Sequence, residues 1–184
     1  MHRVDEPRAA LVLGHGAGGG VAARDLVAAT EAALEERVGV VLVEQPYRVA
    51  GRRSPAPARQ LDAAWTAVID ELRAKALHGL PLIVGGRSSG ARVACRTAEA
   101  TGAAGVICLA FPLQPPKGTT RLPELEAVTV PILVVQGIRD RFGMPPVAPR
   151  RTVAQVASDH ALKTDLPAVA GAVRAWLTTL LEDL

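Results

Sequence analysis

The sequence predicts an α/β fold, a mostly parallel sheet of about six strands with helices on both faces. Three observations carry this reading. Short, continuous apolar runs recur at residues 9–13, 38–43, 82–84, 104–109 and 131–136, as strands buried on both faces require. Longer segments with apolar residues at i, i+3 and i+4 lie between several of them, the mark of amphipathic helices. Strands alternating with helices then imply parallel pairing through crossovers.

Each element follows in order. Residues 1–8 are polar and read as a loose lead-in. Residues 9–13 form a first strand that runs into Gly14-His15-Gly16-Ala17-Gly18-Gly19-Gly20. Residues 21–37 are helical, with Leu26, Ala29 and Ala33 on one side. Residues 38–43 are the second strand. Residues 44–58 are a loop, because Pro46, Gly51, Pro55 and Pro57 interrupt regular structure. Arg48, Arg52, Arg53 and Arg59 accompany that loop, either as a solvated face or as a rim that attracts anionic substrate. Residues 59–78 form a second helix through Leu61, Trp65, Val68, Ile69 and Leu72, closed by His78 near the last carbonyls. The third strand begins at Leu82, and the helix after it ends near Gly102. Residues 104–109 are the fourth strand. Residues 111–130 are proline-rich, with at most a helical turn around Glu124. Residues 131–136 form the fifth strand, residues 139–150 a loop, and residues 152–156 the sixth strand. Residues 167–184 form the last helix, with Val169, Val173, Trp176, Leu177 and Leu180 on one face and Asp165 as its cap. No internal repeat or long linker divides the chain, so a single domain over residues 1–184 is expected.

Bulk composition narrows the function classes. With 49% hydrophobic and 21% charged residues the chain should fold. With only 3% aromatic residues, its core must be aliphatic. The formal charge of +3 is spread without a basic stripe interleaved with aromatics, which argues against nucleic-acid binding. Cys95 and Cys108 have neither disulfide-framework nor metal spacing and read as reduced core residues, and neither cofactor nor metal is expected. No secretory leader is evident, and no run approaches the roughly 18 apolar residues of a membrane span. The expectation is a cytoplasmic monomer or homodimer acting on small molecules.

The chemistry centres on residues 80–94, LPLIVGGRSSGARVA. Gly86-Arg87-Ser88-Ser89-Gly90 fits G-x-S-x-G, and shifting the frame to Ser89 puts Arg87 and Ala91 at the flanks, so the pattern selects Ser88. A strand that turns straight into a helix folds sharply there. A side chain at either flank would collide with neighbouring chain, and the serine hydroxyl is thrown into the open. The Ser89 amide then sits at the new helix's N-terminus, free to face an oxyanion. The plainer reading is a Gly/Ser turn.

A serine nucleophile needs a base and an orienting acid. In a parallel sheet they gather beyond the C-terminal strand ends. Of His2, His15, His78 and His160, only His15 and His160 fall at that edge. The acids there are Glu44, Asp140 and Asp159. Ser88, Asp140 and His160 follow the chain order Ser…Asp…His expected on such a sheet. The first glycine loop also carries a G-x-G-x-x-G spacing, with Glu44 ending the next strand, which keeps dinucleotide binding open beside an oxyanion-hole role. Arg87 either pairs with a carboxylate, as buried charges require, or binds an acidic substrate group. Phe111, Pro112, Phe142 and Met144 either wall a pocket or belong to the core.

HGAGG, GGRSSGARVA, LAFPLQPP, QGIRDRFG and SDH together resemble the α/β-hydrolase superfamily. The likeness is to a small bacterial branch related to dienelactone hydrolase and to a eukaryotic regulatory subunit of a histone-acetyltransferase (NSL) complex. The resemblance spans nearly the whole chain. It implies Ser88 as nucleophile, His160 as base and Asp140 as orienting acid. It further implies an oxyanion hole from the Ala17 and Ser89 amides, in a loop shaped by His15 and Gly16. The family's first two strands would be missing, and no cap domain is inserted after Leu109, so the site should be open. Dienelactone hydrolases use a cysteine nucleophile, where this chain has Ser88. The expected function is a serine hydrolase of small esters or thioesters; the alternative is an interaction module on the same fold.

Overall fold

The computed structural model describes residues 1–184. Its six strands are β1 (Ala9–Gly14), β2 (Val38–Val43), β3 (Leu82–Arg87), β4 (Gly105–Leu109), β5 (Ile132–Gly137) and β6 (Arg151–Val156). They form one sheet in the order β2-β1-β3-β4-β5-β6, and every neighbouring pair is parallel. The helices are α1 (Arg24–Glu35), α2 (Pro46–Val49), α3 (Ala58–Ala74), α4 (Ser89–Thr97), α5 (Leu122–Glu126) and α6 (Leu166–Glu182).

The continuous apolar strands are explained by two cores, one on each face. Successive side chains of a strand point to opposite faces. Ala10 and Val12 of β1 and Val84 of β3 therefore meet Leu61, Trp65 and Ile69 of α3 and Val93 and Ala94 of α4. Leu11 and Leu13 of β1 and Ile83 of β3 meet Leu26 and Ala29 of α1 and Val173 and Leu177 of α6. Cys95 and Cys108 are buried free thiols with Sγ atoms 3.4 Å apart, and burial pushes the Cys108 thiol up from its ordinary value.

Several sequence expectations need correction. The first residues are not wholly loose: His2 forms an antiparallel bridge with Val40 on the edge strand β2. The 44–58 loop holds the short helix α2, in which Pro46 stands at the first turn, where its missing N–H does no harm. α1 starts three residues later than expected, at Arg24. α3 stops at Ala74, so His78 lies beyond it in an exposed turn. Asp165 does cap α6, accepting from the Ala168 amide at 3.3 Å. Between β4 and β5 only the five-residue α5 forms, and no cap domain covers the C-terminal edge of the sheet.

Candidate active site

Ser88 stands at the junction of β3 and α4 with φ 51° and ψ −106°. A non-glycine residue held there costs about 1–3 kcal/mol. The surrounding backbone enforces it: the Ser88 amide donates to the Leu109 carbonyl at 2.9 Å, and the Arg92 amide donates to the Ser88 carbonyl at 3.2 Å. A Cβ at Gly86 or at Gly90 would run into the same atom, the Gly14 carbonyl oxygen of β1. The two flanking glycines are therefore one requirement, close approach of the elbow to the neighbouring strand. A serine preceding a helix ordinarily caps it, but the Ser88 side chain makes no cap bond. Its Oγ lies 3.0 Å from His160 Nε2.

The other face of His160 is fixed. Its Nδ1 lies 2.8 Å from Asp140 Oδ2. Asp140 is fully buried at its carboxylate and also accepts from Gln136 Nε2 at 2.8 Å and from the Phe142 amide at 2.9 Å. An ionised carboxylate only accepts, so Nδ1 carries the proton and Nε2 is left to accept from the Ser88 hydroxyl. The Phe142 ring stands edge-on to His160, with centroids 4.5 Å apart. Arg87 Nη2 donates to the His160 carbonyl at 3.0 Å.

The glycine-rich loop after β1 supplies the opposite wall. His15 is fully buried. Its Nε2 accepts from the Gln45 amide at 2.9 Å, which leaves Nδ1 to donate to the Gly16 carbonyl at 2.8 Å. The Gly19 amide donates to that carbonyl too, at 3.1 Å. In a trans peptide the C=O and the following N–H point in opposite directions, so tying down the Gly16 oxygen aims the Ala17 N–H away from it. Tyr47 Oη donates to the Ala17 carbonyl at 3.1 Å. The Ser89 amide opens α4 and has no acceptor within the helix. Ala17, Ser88 and Ser89 share one pocket of about 390 Å³, walled further by Leu61, Pro112 and Phe142.

The remaining expected site residues fall elsewhere. Arg87 does not line this pocket. Its Nε lies 2.9 Å from Asp25 Oδ2 of α1, the buried pairing that was one of its two readings. Asp25 Oδ2 accepts no well-aligned hydrogen bond. Burial accordingly raises the Asp25 carboxyl above its ordinary value, although Arg87 pulls it down. Phe111 is fully buried in the core, so it walls no pocket; its carbonyl accepts from Gln136 Nε2 at 3.1 Å. Gly16 packs against the elbow, where a Cβ would lie 2.8 Å from Arg87 Nη1. The glycine loop is thus packed at Gly16 against Ser88, and α1 begins only at Arg24. Glu44 is exposed.

Sequence reading missed Gln136, Tyr47, Gln45 and Asp25. Gln136 carried a signal: it is the one polar residue in the buried run ILVVQ. A larger groove of about 500 Å³ between α6 and the strands β5 and β6 has no serine, cysteine or histidine in its walls.

The alpha/beta hydrolase domain family matches residues 7–165. Among solved structures, XC6422 from Xanthomonas campestris, described as an a/b serine hydrolase without lid, is 19% identical. The match covers 97% of this chain and 86% of that one, with a TM-score of 0.78. Est1E from Butyrivibrio proteoclasticus, seen with ferulic acid bound, is 16% identical over 99% of this chain and 94% of that one, with a TM-score of 0.77. YbtT, a type II thioesterase of the yersiniabactin pathway, is 20% identical over 99% and 95%, with a TM-score of 0.57. At these identities the likeness is one of fold. No curated protein sequence matches the chain. No helix is long and apolar enough to cross a membrane.

Proposed function

The chain belongs to the alpha/beta hydrolase domain family, and we propose that it is a serine hydrolase that cleaves small esters or thioesters through an acyl-enzyme. The observation that carries this is the hydrogen-bonded run from Ser88 Oγ to His160 Nε2 at 3.0 Å and from His160 Nδ1 to Asp140 Oδ2 at 2.8 Å, on a strained elbow. Ser88 Oγ attacks the acyl carbon while His160 Nε2 takes its proton. The resulting imidazolium is stabilised by Asp140, which keeps its own charge. The carbonyl oxygen becomes an oxyanion held by the Ala17 and Ser89 amides. Collapse of the tetrahedral intermediate breaks the bond to the leaving group, and His160 returns the proton to it. Water then attacks the acyl-enzyme by the same route and releases the acid. The esterase and thioesterase among the structural neighbours favour carboxylic acyl substrates. With no cap, water is poorly excluded, which fits short acyl chains.

Fluorophosphonate labelling of the wild type beside Ser88→Ala tests the reading, with p-nitrophenyl esters of increasing chain length as substrates. Labelling and turnover should both vanish in a folded Ser88→Ala. Wild-type protein that is folded yet unlabelled and inert would overturn the proposal in favour of an interaction module.

A further inference from the structure

Three arginines face the pocket over Ser88, and only two carboxylates stand behind them. Arg92 holds Glu124 through Nε at 2.9 Å and Nη2 at 2.5 Å. Arg96 grips both oxygens of Asp62, at 2.9 and 2.6 Å, and reaches Glu124 at 3.5 Å. Arg121 donates from Nη1 to the Pro112 carbonyl at 2.9 Å and has no carboxylate partner. Arg92, Arg96 and Arg121 all line the pocket, whereas Asp62 and Glu124 do not. One positive charge therefore remains uncompensated at the wall.

That charge is partly buried and lies beside like charge. Burial and the neighbouring Arg92 pull the Arg121 guanidinium below its ordinary pKa, Glu124 opposes them in part, and Arg96 adds to the pull. A guanidinium in this state has been partly desolvated before any substrate arrives, and its planar fork suits two parallel bonds to an oxyanion. The mouth has the same sign. Residues 45–61, which bring Pro55, Ala56, Ala58 and Leu61 to the pocket, contain Arg48, Arg52, Arg53 and Arg59 and no acidic residue. All four of these arginines are exposed, placed to raise the local concentration of anions.

We propose that the pocket takes an ester or thioester whose acyl or leaving group ends in an anionic oxygen group, carboxylate or phosphate, with Arg121 as its counter-ion. This rests on the hydrolase reading above and names the substrate class of the same site. A bound anion would bring the charges of the wall into balance.

The test compares p-nitrophenyl hydrogen succinate with p-nitrophenyl butyrate, which differ in a terminal carboxylate. A bond to a charged group is worth enough for roughly a tenfold or greater preference in kcat/KM for the succinate ester. Raised salt should shrink that preference. Arg121→Gln should bring the ratio close to one, and Arg121→Lys should keep part of it. Succinate and inorganic phosphate as competitive inhibitors separate the two anion types. Calorimetry of methyl hydrogen succinate with Ser88→Ala, against Ser88→Ala/Arg121→Gln, reads binding without turnover. A labelled, active enzyme that prefers butyrate, or a ratio unmoved by Arg121→Gln, overturns the anion proposal alone. Absence of labelling and of turnover with either ester overturns the hydrolase reading and this one with it.

Discussion

Replacing Arg87 with leucine separates what holds the fold from what holds His160. The Asp25 side chain is 1% exposed, and its opposite charge is Arg87 at 2.9 Å. Removing one member of a buried pair costs about 3–5 kcal/mol, because the surviving charge stays out of water. In a chain of this length each kcal/mol lowers Tm by roughly 2–4 °C, so Arg87→Leu should melt roughly 6–20 °C below the wild type. The deficit should depend on pH. Burial already raises the Asp25 carboxyl above its ordinary value, with Arg87 opposing. Without Arg87 that opposition is gone and the folded-state value climbs further. Between the unfolded and the folded values the native state holds a proton that the unfolded chain has released, so stability falls as pH rises through this window. Urea unfolding near pH 5 and near pH 8 should therefore show the smaller loss on the acid side. Asp25→Asn/Arg87→Leu should recover most of the stability, since no buried charge is then left unpaired. It should not recover kcat, because the donor to the His160 carbonyl at 3.0 Å is still missing. A deficit equal at both pH values, or no recovery in the double variant, would refute the reasoning.

Three further outcomes are expected. Gln136→Leu strips a donor from Asp140 and one from each of the Phe111 and Gly143 carbonyls, the first of which keeps the Leu113 amide, so urea unfolding should show a loss of roughly 1–3 kcal/mol, and steady-state assays a lower kcat. His15→Leu removes one of the two donors on the Gly16 carbonyl, leaving only the Gly19 amide to hold the peptide that aims the Ala17 N–H; kcat should fall about tenfold with KM little changed, less than the roughly 10²–10³ of losing an oxyanion donor outright. Gly90→Ala drives a methyl into the Gly14 carbonyl, a backbone atom that cannot swing aside, so circular dichroism should find the variant unfolded or destabilised by more than the roughly 1–3 kcal/mol of ordinary overpacking; a wild-type melting curve would contradict the account of the elbow.

The legible part of this molecule is the part governed by local rules. The apolar runs placed five of the six strands, four of them to within a residue or two and β3 three residues short of its end at Arg87, because a strand buried on both faces admits few polar residues. The elbow was readable because close backbone approach demands glycine at Gly86 and Gly90. Ser88, Asp140 and His160 were singled out from strand-end position and chain order, and the structure brings those three side chains within hydrogen-bond reach. The supports were not legible. Arg87 pairs with Asp25 on α1, sixty-two positions away by subtraction of their numbers, and nothing in its own neighbourhood in the sequence distinguishes that carboxylate from others. Phe111 looked like a pocket wall because it follows a strand end, but the chain turns there through Ala110 at φ 51°, and the ring falls into the core. Helix α2 was masked by the prolines around it, one of which starts it.

The strand order explains why the site needs such supports. From β1 the chain crosses to β2 on one side, whereas β3 leads to β4, β5 and β6 on the other. The loops after β1 and β3 thus diverge and leave a crevice at the switch point. Across it Gly14 pairs with Gly86 in register, so the glycine-rich loop and the elbow meet through adjacent strands. Asp140 and His160 have no such adjacency: they follow β5 and β6, two and three strands beyond β3. Their loops must lean back over the sheet, and the contacts show how. The Arg139 amide donates to the Ser158 carbonyl at 3.0 Å. At Gly137 a Cβ would lie 2.5 Å from the carbonyl oxygens of both Ser158 and Asp159. The loop carrying His160 therefore rests directly on the end of β5, with Arg87 holding its carbonyl and Asp140 its ring. His160, carried on a loop three strands from Ser88, is fixed by backbone contact with the end of the strand that Asp140 follows.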